Sequence, residues 1–325
     1  MKAFVYTKYG SADVLHLQEV EKSTPKDDEV LIKVQAVSIN AYDWHFLSAD
    51  IFLIRMIGGF LRPKNPILVA DLAGRVEAVG SHVKQFQPGD EVFGDIGGGG
   101  LAEYVCAREN LLVRKPAKMT FEEAAAVPMA ALTAVQGLRD EGQIQPGQQV
   151  VINGASGGVG TFAVQIAKTF GAEVTAVCST RNLDTARSIG ADHIIDYTKE
   201  DFTKSGQRYD LIFAANGYHP ISAYQRALTP KGIYVMAGGK VPQLFQALTM
   251  GRWMSKTGGQ KMGAMTAKTN QNDLVTIKEF LEAGKVRPVI DRRYPFSEVP
   301  EAFRYFGQGH ARGKVVITFD QNSKS

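Results

Sequence analysis

The sequence predicts an α/β protein of two domains, one β-rich and one built on a doubly wound parallel sheet. Three observations predict it. At 325 residues the chain exceeds what one hydrophobic core usually organises. To about residue 120 it runs in short β-rich segments cut by Gly and Pro, the pattern of a barrel or sandwich. From Gln149 onward strands and helices alternate, which implies parallel strands joined by right-handed crossovers.

The elements follow in order. "FVYTKYG", "VLIKVQAVSIN", "LAGRVEAVG", "DEVFGDIG", "AEYVCA" and "NLLVRKP" are the strands of the first part, with "FQPGDEV" and "GDIGGGG" as turn-rich punctuation. "TFEEAAAVPMAALTAVQGL" then turns helical, with Thr120 as N-cap and Glu123 completing a capping box. "QVVIN", "EVTAVCS", "HIIDY", "DLIFAA" and "GIYVMAG" are the parallel strands; 159–170, 182–189, 199–205 and 220–229 are the helices among them. "NDLVTIKEFLEAG" is a helix capped by Asn272 or Asp273 and stopped by Gly284. The tail "FSEVPEAFRYFGQGHARGKVVITFD" gives a helix and a last strand that rejoins the β-rich part. One domain therefore takes residues 1–121 and 291–325, the other 122–290.

With 44% hydrophobic and 22% charged residues, the composition is that of a soluble globular protein. No charge-free apolar run reaches 18 residues, so no membrane span is expected. "MKAFVYTKYG" lacks the apolar core of a signal peptide. Cys106 and Cys178 form no close motif, which suits a reducing, cytoplasmic compartment. Of the net charge of +4, the excess lies in 240–293, with ten Lys/Arg against four Asp/Glu. That segment is either a solvated face or a site for an anionic ligand. Clustered basic runs with interleaved aromatics are lacking, so no nucleic-acid partner is expected.

The densest chemistry lies in "VVINGASGGVGTFAVQIAK", 150–168, with four glycines in the seven positions 154–160. Val159, Phe162, Ala163, Ile166, Ala167 and Phe170 then form one apolar helix face. Strand, glycine-rich turn and helix are the context of a dinucleotide fingerprint, here Ala155, Gly157 and Gly160 with alanine in the first place. Gly157 lets the backbone approach a pyrophosphate, and Gly160 permits close helix–strand packing. The free N–H groups of the helix N-terminus hold the phosphates. The end of the second strand, "AVCSTRN", carries no carboxylate for a ribose 2′-hydroxyl. Ser179, Thr180 and Arg181 offer hydroxyls and a guanidinium instead, which favours NADPH over NADH, although Arg181 also suits a solvated helix start.

The order of these parts resembles the medium-chain dehydrogenase/reductase superfamily, and within it the zinc-free quinone oxidoreductase (zeta-crystallin-like) branch. The resemblance spans nearly the whole chain through "VLIKVQAVSINAYDW", "DLAGRVEAVGSHVKQFQPGDEVFG", "GGLAEYV", "AAAVPMAALTAVQGL", "NGASGGVG", "GADHIIDY" and "GKVVITF". It implies a GroES-like catalytic domain and a Rossmann nucleotide-binding domain. The places of the superfamily's Cys, His and Cys zinc ligands fall on Asn40, Ala70 and Met129, with Asp71 at the place of an adjacent Glu. Neither Ala nor Met suits such a site, and a substitute set of Asp43, His45 and Asp71 is disfavoured because a lone His near a Trp usually packs.

The chemistry implied is hydride transfer from NADPH to a quinone or an α,β-unsaturated carbonyl, whose developing oxyanion is conjugated and needs only hydrogen bonds. The resemblance places Asn40 as amide donor to that oxygen, Tyr42 as hydroxyl donor, and Asp43 as a group orienting its neighbours or the nicotinamide ribose. The plain alternatives are a turn cap for Asn40 and a core position for Tyr42. Ser156, Gly157, Gly158 and Val159 should line the pyrophosphate, Thr133 lies where the branch has a Thr near the nicotinamide, and Tyr197 matches a Tyr near the adenosine phosphate. Ala215, Asn216 and Gly217 end the fourth strand, and Gly238 and Gly239 the fifth, near a bound cofactor, with Lys240 as a further anion contact. The apolar stretch 45–62 walls a hydrophobic cleft, together with Phe245, Trp253, Met254 and Met262. The segment 240–265 equally fits the subunit interface of a homodimer. An alcohol or ketone oxidoreductase, and a low-turnover NADPH-binding sensor or scaffold, are the competing readings.

Overall fold

The computed structural model describes residues 1–239, 246 and 259–319. Lys240, Phe245, Trp253 and Met254 lie outside the described residues. The chain divides into two compact units. Unit one holds Met1–Met129, Thr269–Glu282 and Pro288–Ser325; unit two holds Ala130–Lys268 and Ala283–Arg287.

Unit one starts with the antiparallel pair β1 (Lys2–Val5) and β2 (His16–Glu19). It continues through β3 (Glu29–Ile39), β4 (Asp71–Val79), β5 (Glu91–Asp95), β6 (Tyr104–Arg108) and β7 (Leu112–Arg114). Unit two contains β8 (Gln149–Asn153), β9 (Glu173–Cys178), β10 (His193–Asp196), β11 (Tyr209–Ala214), β12 (Leu228–Met236) and β13 (Lys261–Ala264). The tail returns to unit one with β14 (Ile290–Pro295) and β15 (Lys314–Thr318). Its seven-stranded sheet runs β14-β15-β3-β4-β5-β7, and β6 pairs with β3. The last strand therefore rejoins the β-rich part, with Val315 opposite Ile39 and Ile317 opposite Val37.

Unit two carries six parallel strands in the order β10-β9-β8-β11-β12-β13. The central strands are buried along their length, Val150–Ile152 and Leu211–Ala214 among them, as parallel strands covered on both faces require. The helix after the glycine turn, Gly158–Thr169, is buried on more than the one face that its periodicity suggests. Thr161 and Gln165 are buried too, because residues 283–287 return over them: Gln165 donates to the Arg287 carbonyl and accepts from its amide, both at 2.9 Å.

Local chemistry fixes most ends. Thr120 and Glu123 form the capping box expected of them. The long helical stretch that follows is two helices, Phe121–Ala125 and Pro128–Gln136, because Pro128 cannot continue the first and starts the second. The segment 199–205 is helical only as the single turn Phe202–Lys204. Helix Gln271–Glu282 is capped by Asn270 rather than Asn272 or Asp273, since Asn270 Oδ1 accepts from the Asp273 amide at 2.9 Å. Asn270→Ala is expected to lower the stability of unit one by about 1 kcal/mol in urea unfolding.

Candidate functional site

In unit one the chain leaves β3 at Asn40, the N-cap of helix Ala41–Ser48. Asp43 stands three residues on, and its Oδ2 accepts from the Asn40 amide at 2.8 Å, while its Oδ1 accepts from the Ala70 amide at 3.1 Å. Asp43 is fully buried, and burial pushes its carboxyl up to about 7. Its place is that of an anchor joining the start of this helix to the start of β4. The anchored backbone is strained one residue earlier. Val69 has φ +71°, a left-handed conformation that a β-branched residue rarely adopts, and its carbonyl takes the Gly100 amide at 2.9 Å.

Asn40 is 8% exposed, and its carboxamide is spent inside the protein. Nδ2 donates to Asp71 Oδ2 at 2.9 Å and to the Ser38 carbonyl at 3.4 Å, and Oδ1 accepts from Lys314 Nζ. In this geometry both amide hydrogens of Asn40 are engaged by protein acceptors, and donation to a substrate oxygen would require the long 3.4 Å bond to Ser38 to be given up. Asp71 is fully buried, accepts from the Met129 amide at 2.9 Å, and lies 3.4 Å from Lys314 Nζ. Burial pushes the Asp71 carboxyl up to about 6 against the pull of Lys314, and burial pulls the Lys314 ammonium down. The positions aligned with zinc ligands thus do converge, and an ammonium group stands among them. A neutral carboxamide, an alanine and a methionine beside that cation do not fit a zinc ion. His45 turns away to Asp50 at 2.8 Å, and among the described residues no cluster of His, Cys, Asp and Glu side chains could hold a metal.

A cavity of about 190 Å³ opens beside this cluster, lined by Tyr42, Phe46, Ile57, Ile67, Leu68 and Val69 among others. The apolar stretch 45–62 contributes Phe46, Ile57 and Gly58 to it. Tyr42 is 38% exposed rather than a core residue, packs on Phe46 with ring centroids 4.5 Å apart, and makes a long 3.3 Å hydrogen bond to the Gly97 carbonyl. Partial burial raises its hydroxyl pKa, so it stays a proton-bearing donor at neutral pH.

In unit two the glycine turn separates two demands on its residues. A side-chain carbon at Gly160 would meet the Gly154 carbonyl at 2.1 Å and Ala155 Cα at 2.8 Å, so glycine is required by the protein itself. Gly154 has φ +83° and closes on Asn216, and Gly238 closes on the Ala215 carbonyl. At Gly157, the N-cap, the same carbon would touch only the Gly154 carbonyl at 3.7 Å. Among the described residues no side chain caps the helix there, which leaves the N–H groups of its first turn available, a cradle that suits a diphosphate. The turn fits the cofactor that the sequence suggests.

Around this cradle Ser156 and Ser179 both accept from Asn182 Nδ2, at 3.0 and 3.1 Å. Thr180 is occupied otherwise: its hydroxyl donates to Asp196 at 2.5 Å, which holds that carboxyl below the usual carboxylate range. Arg181 is exposed and makes no ion pair among the described residues, and Tyr197 is exposed as well. Thr133 is buried in helix Pro128–Gln136; Asn216 Oδ1 accepts from Gly217, and Gly239 has φ +141°. Met262 is buried in the core of unit two beside Tyr234 and Met236. Sequence reading missed Lys314 and Asn182. The signal for Lys314 was a lysine opening the otherwise apolar strand "KVVIT".

Comparison with known proteins places this geometry. Residues 26–117 match the model of the alcohol dehydrogenase GroES-like domain, and residues 189–317 that of the zinc-binding dehydrogenase. The chain is 38% identical to 2-methylene-furan-3-one reductase of Solanum lycopersicum, over 98% of this chain and 79% of that protein. The chain belongs to the zinc-free quinone oxidoreductase branch of the medium-chain dehydrogenase/reductase superfamily. Unit one is its GroES-like part and unit two its Rossmann part. Two further members of this family are similar along most of their length. NADPH-dependent alkenal/one oxidoreductase, chloroplastic, of Arabidopsis thaliana is 36% identical over 98% of this chain and 79% of its own. The structure of the quinone oxidoreductase from Coxiella burnetii superposes with a TM-score of 0.85 at 29% identity, covering 98% of this chain and 99% of that one. Among the described residues no helix is long and apolar enough to cross a membrane.

Proposed function

We propose that the protein transfers a hydride from NADPH to a quinone or an α,β-unsaturated carbonyl without a metal. The observation that carries this reading is the Lys314 ammonium held by Asn40, at a position the resemblance aligns with a zinc ligand, and by Asp71, at the place of the adjacent Glu. A saturated ketone needs strong stabilisation of its developing alkoxide, whereas a conjugated acceptor spreads that charge and needs only hydrogen bonds. The relatives named for enones, alkenals and quinones support the same reading.

When bound, NADPH supplies the hydride. The glycine turn and the N–H groups opening helix Gly158–Thr169 hold its diphosphate, and Arg181 is free to meet a 2′-phosphate. Of the two tyrosines that line the cavity, Tyr6 is buried and Tyr42 is the exposed one, and Tyr42 exchanges its weak bond to Gly97 for the substrate oxygen as charge collects there. Asp43 keeps Tyr42's helix in place through the Asn40 and Ala70 amides. Tyr42→Phe is expected to lower kcat for an enone roughly tenfold, the worth of one hydrogen bond, with the Kd for NADPH unchanged in a fluorescence titration.

The deciding experiment follows oxidation of NADPH and NADH against quinones, an enone, an enal and a simple ketone, with a chelator present. Turnover of NADPH with a quinone or enone, unaffected by the chelator, is the expected result. Turnover confined to the simple ketone and abolished by the chelator would overturn the reading, as would tight NADPH binding with no turnover on any acceptor. The cytoplasm is the compartment we favour, supported by two free cysteines. A homodimer is the assembly we favour, supported by the outer edge of β13, which no other strand of the described residues covers; light scattering at micromolar concentration tests it.

A further inference from the structure

A buried carboxamide ties the glycine turn to the end of β9. Asn182 is 4% exposed and closes the short turn Thr180–Asn182. Its Nδ2 donates to Ser156 Oγ, 26 residues away in sequence, and to Ser179 Oγ. Its Oδ1 is buried and meets no donor among the described residues. Both serines are partly exposed, and among the described residues neither hydroxyl hydrogen is directed to another group.

A hydroxyl that accepts from an amide keeps its own hydrogen to give. Phosphate oxygens only accept, so two hydroxyls fixed as donors are matched to them before a ligand arrives. We propose that Asn182 is a positioning residue for the cofactor: it fixes Ser156 and Ser179 as donors to the phosphate groups of NADPH. The inference rests on the reading of unit two as the NADPH-binding unit.

Asn182→Asp keeps the side chain's shape and reverses its polarity, because a carboxylate accepts from both serines and places negative charge beside the phosphates. The Kd for NADPH, followed by nucleotide fluorescence, is expected to rise on the order of 100-fold, while the Tm of the ligand-free protein stays within about 2 °C. Asn182→Ala is expected to raise Kd about tenfold, and in that background Ser179→Ala should add nothing, although alone it raises Kd severalfold. Asn182→Asp binding NADPH as the wild type does would overturn the proposal. So would full independence of the Asn182→Ala and Ser179→Ala effects, the pattern of a merely structural role; that cycle decides the matter should Asn182→Asp fail to fold. Gly157→Val separates the two possible failures. Normal NADPH binding by Gly157→Val would remove the cofactor site itself, whereas its loss there beside normal binding in the Asn182 variants would remove only the role of Asn182.

Discussion

Gly157→Val is expected to leave the protein folded, with its Tm within about 2 °C of wild type, and to raise the Kd for NADPH at least about 100-fold. Gly160→Ala, a smaller change three residues on, is expected to do the reverse in kind and lower the Tm by several degrees. The contrast follows from what each position meets. At Gly157 the backbone is extended, a conformation that valine favours, and the nearest protein atom to an added carbon is 3.7 Å away. That space is what the diphosphate would fill, so the valine competes with the ligand alone. At Gly160 the added carbon would stand 2.1 Å from the Gly154 carbonyl, which is backbone and cannot rotate aside. Overpacking of that kind costs about 1–3 kcal/mol or more, and each kcal/mol moves the Tm by roughly 2–4 °C in a domain of this size. Thermal scanning of the ligand-free proteins and a fluorescence titration check both halves. Wild-type affinity in Gly157→Val would remove the glycine turn from the cofactor site.

That turn was legible in the sequence because its requirement falls on residue type: only glycine allows the backbone approach, and the spacing repeats the strand–turn–helix context. The Thr120–Glu123 box was legible for the same reason, both partners lying within four residues. What stayed hidden depends on partners distant in sequence. Lys314 meets Asn40 across 274 positions, and no local pattern shows that a strand lysine will be drawn into a buried cluster. Asn40 was found by position, but nothing in "VSIN" tells that its hydrogens go to Asp71 and Ser38. Thr180 was found as a hydroxyl at the right strand end, but Asp196 on the neighbouring strand occupies it. The helix Gly158–Thr169 read as one-sided because the segment that covers Gln165 lies 122 residues further on. Helix Gln271–Glu282 joins unit one although the chain on either side of it belongs in part to unit two, an interleaving that a linear reading does not reveal.

Lys314→Met is expected to destabilise unit one by about 3–5 kcal/mol at pH 8, because it leaves the Asp71 carboxylate buried without its cation. Methionine nearly matches the length of lysine, so the loss is of charge and of the hydrogen bond to Asn40 rather than of volume. The pH dependence identifies the cause. In the wild type the Asp71 carboxyl already titrates near 6, raised by burial and held from rising further by Lys314. Without the ammonium it rises above that value. A carboxyl whose folded pKa exceeds its unfolded value adds stability below about pH 4, which is lost as the pH climbs through the folded value. The deficit of Lys314→Met relative to wild type is therefore largest at pH 8 and shrinks toward pH 5, as Asp71 takes up a proton and ceases to be a bare charge. Asp43, also raised by burial, is held down in part by the same ammonium, so its carboxyl rises further in Lys314→Met and adds to the deficit in the same direction. Adding Asp71→Asn to Lys314→Met removes the second charge, and the double variant should regain about half or more of the lost stability at pH 8 while gaining little at pH 5. Urea unfolding of the three proteins at the two pH values measures this directly. An equal deficit at both pH values, or a double variant no more stable than Lys314→Met, would show that Lys314 acts through packing. The ammonium would then not be the cation that Asn40 and Asp71 are arranged to hold.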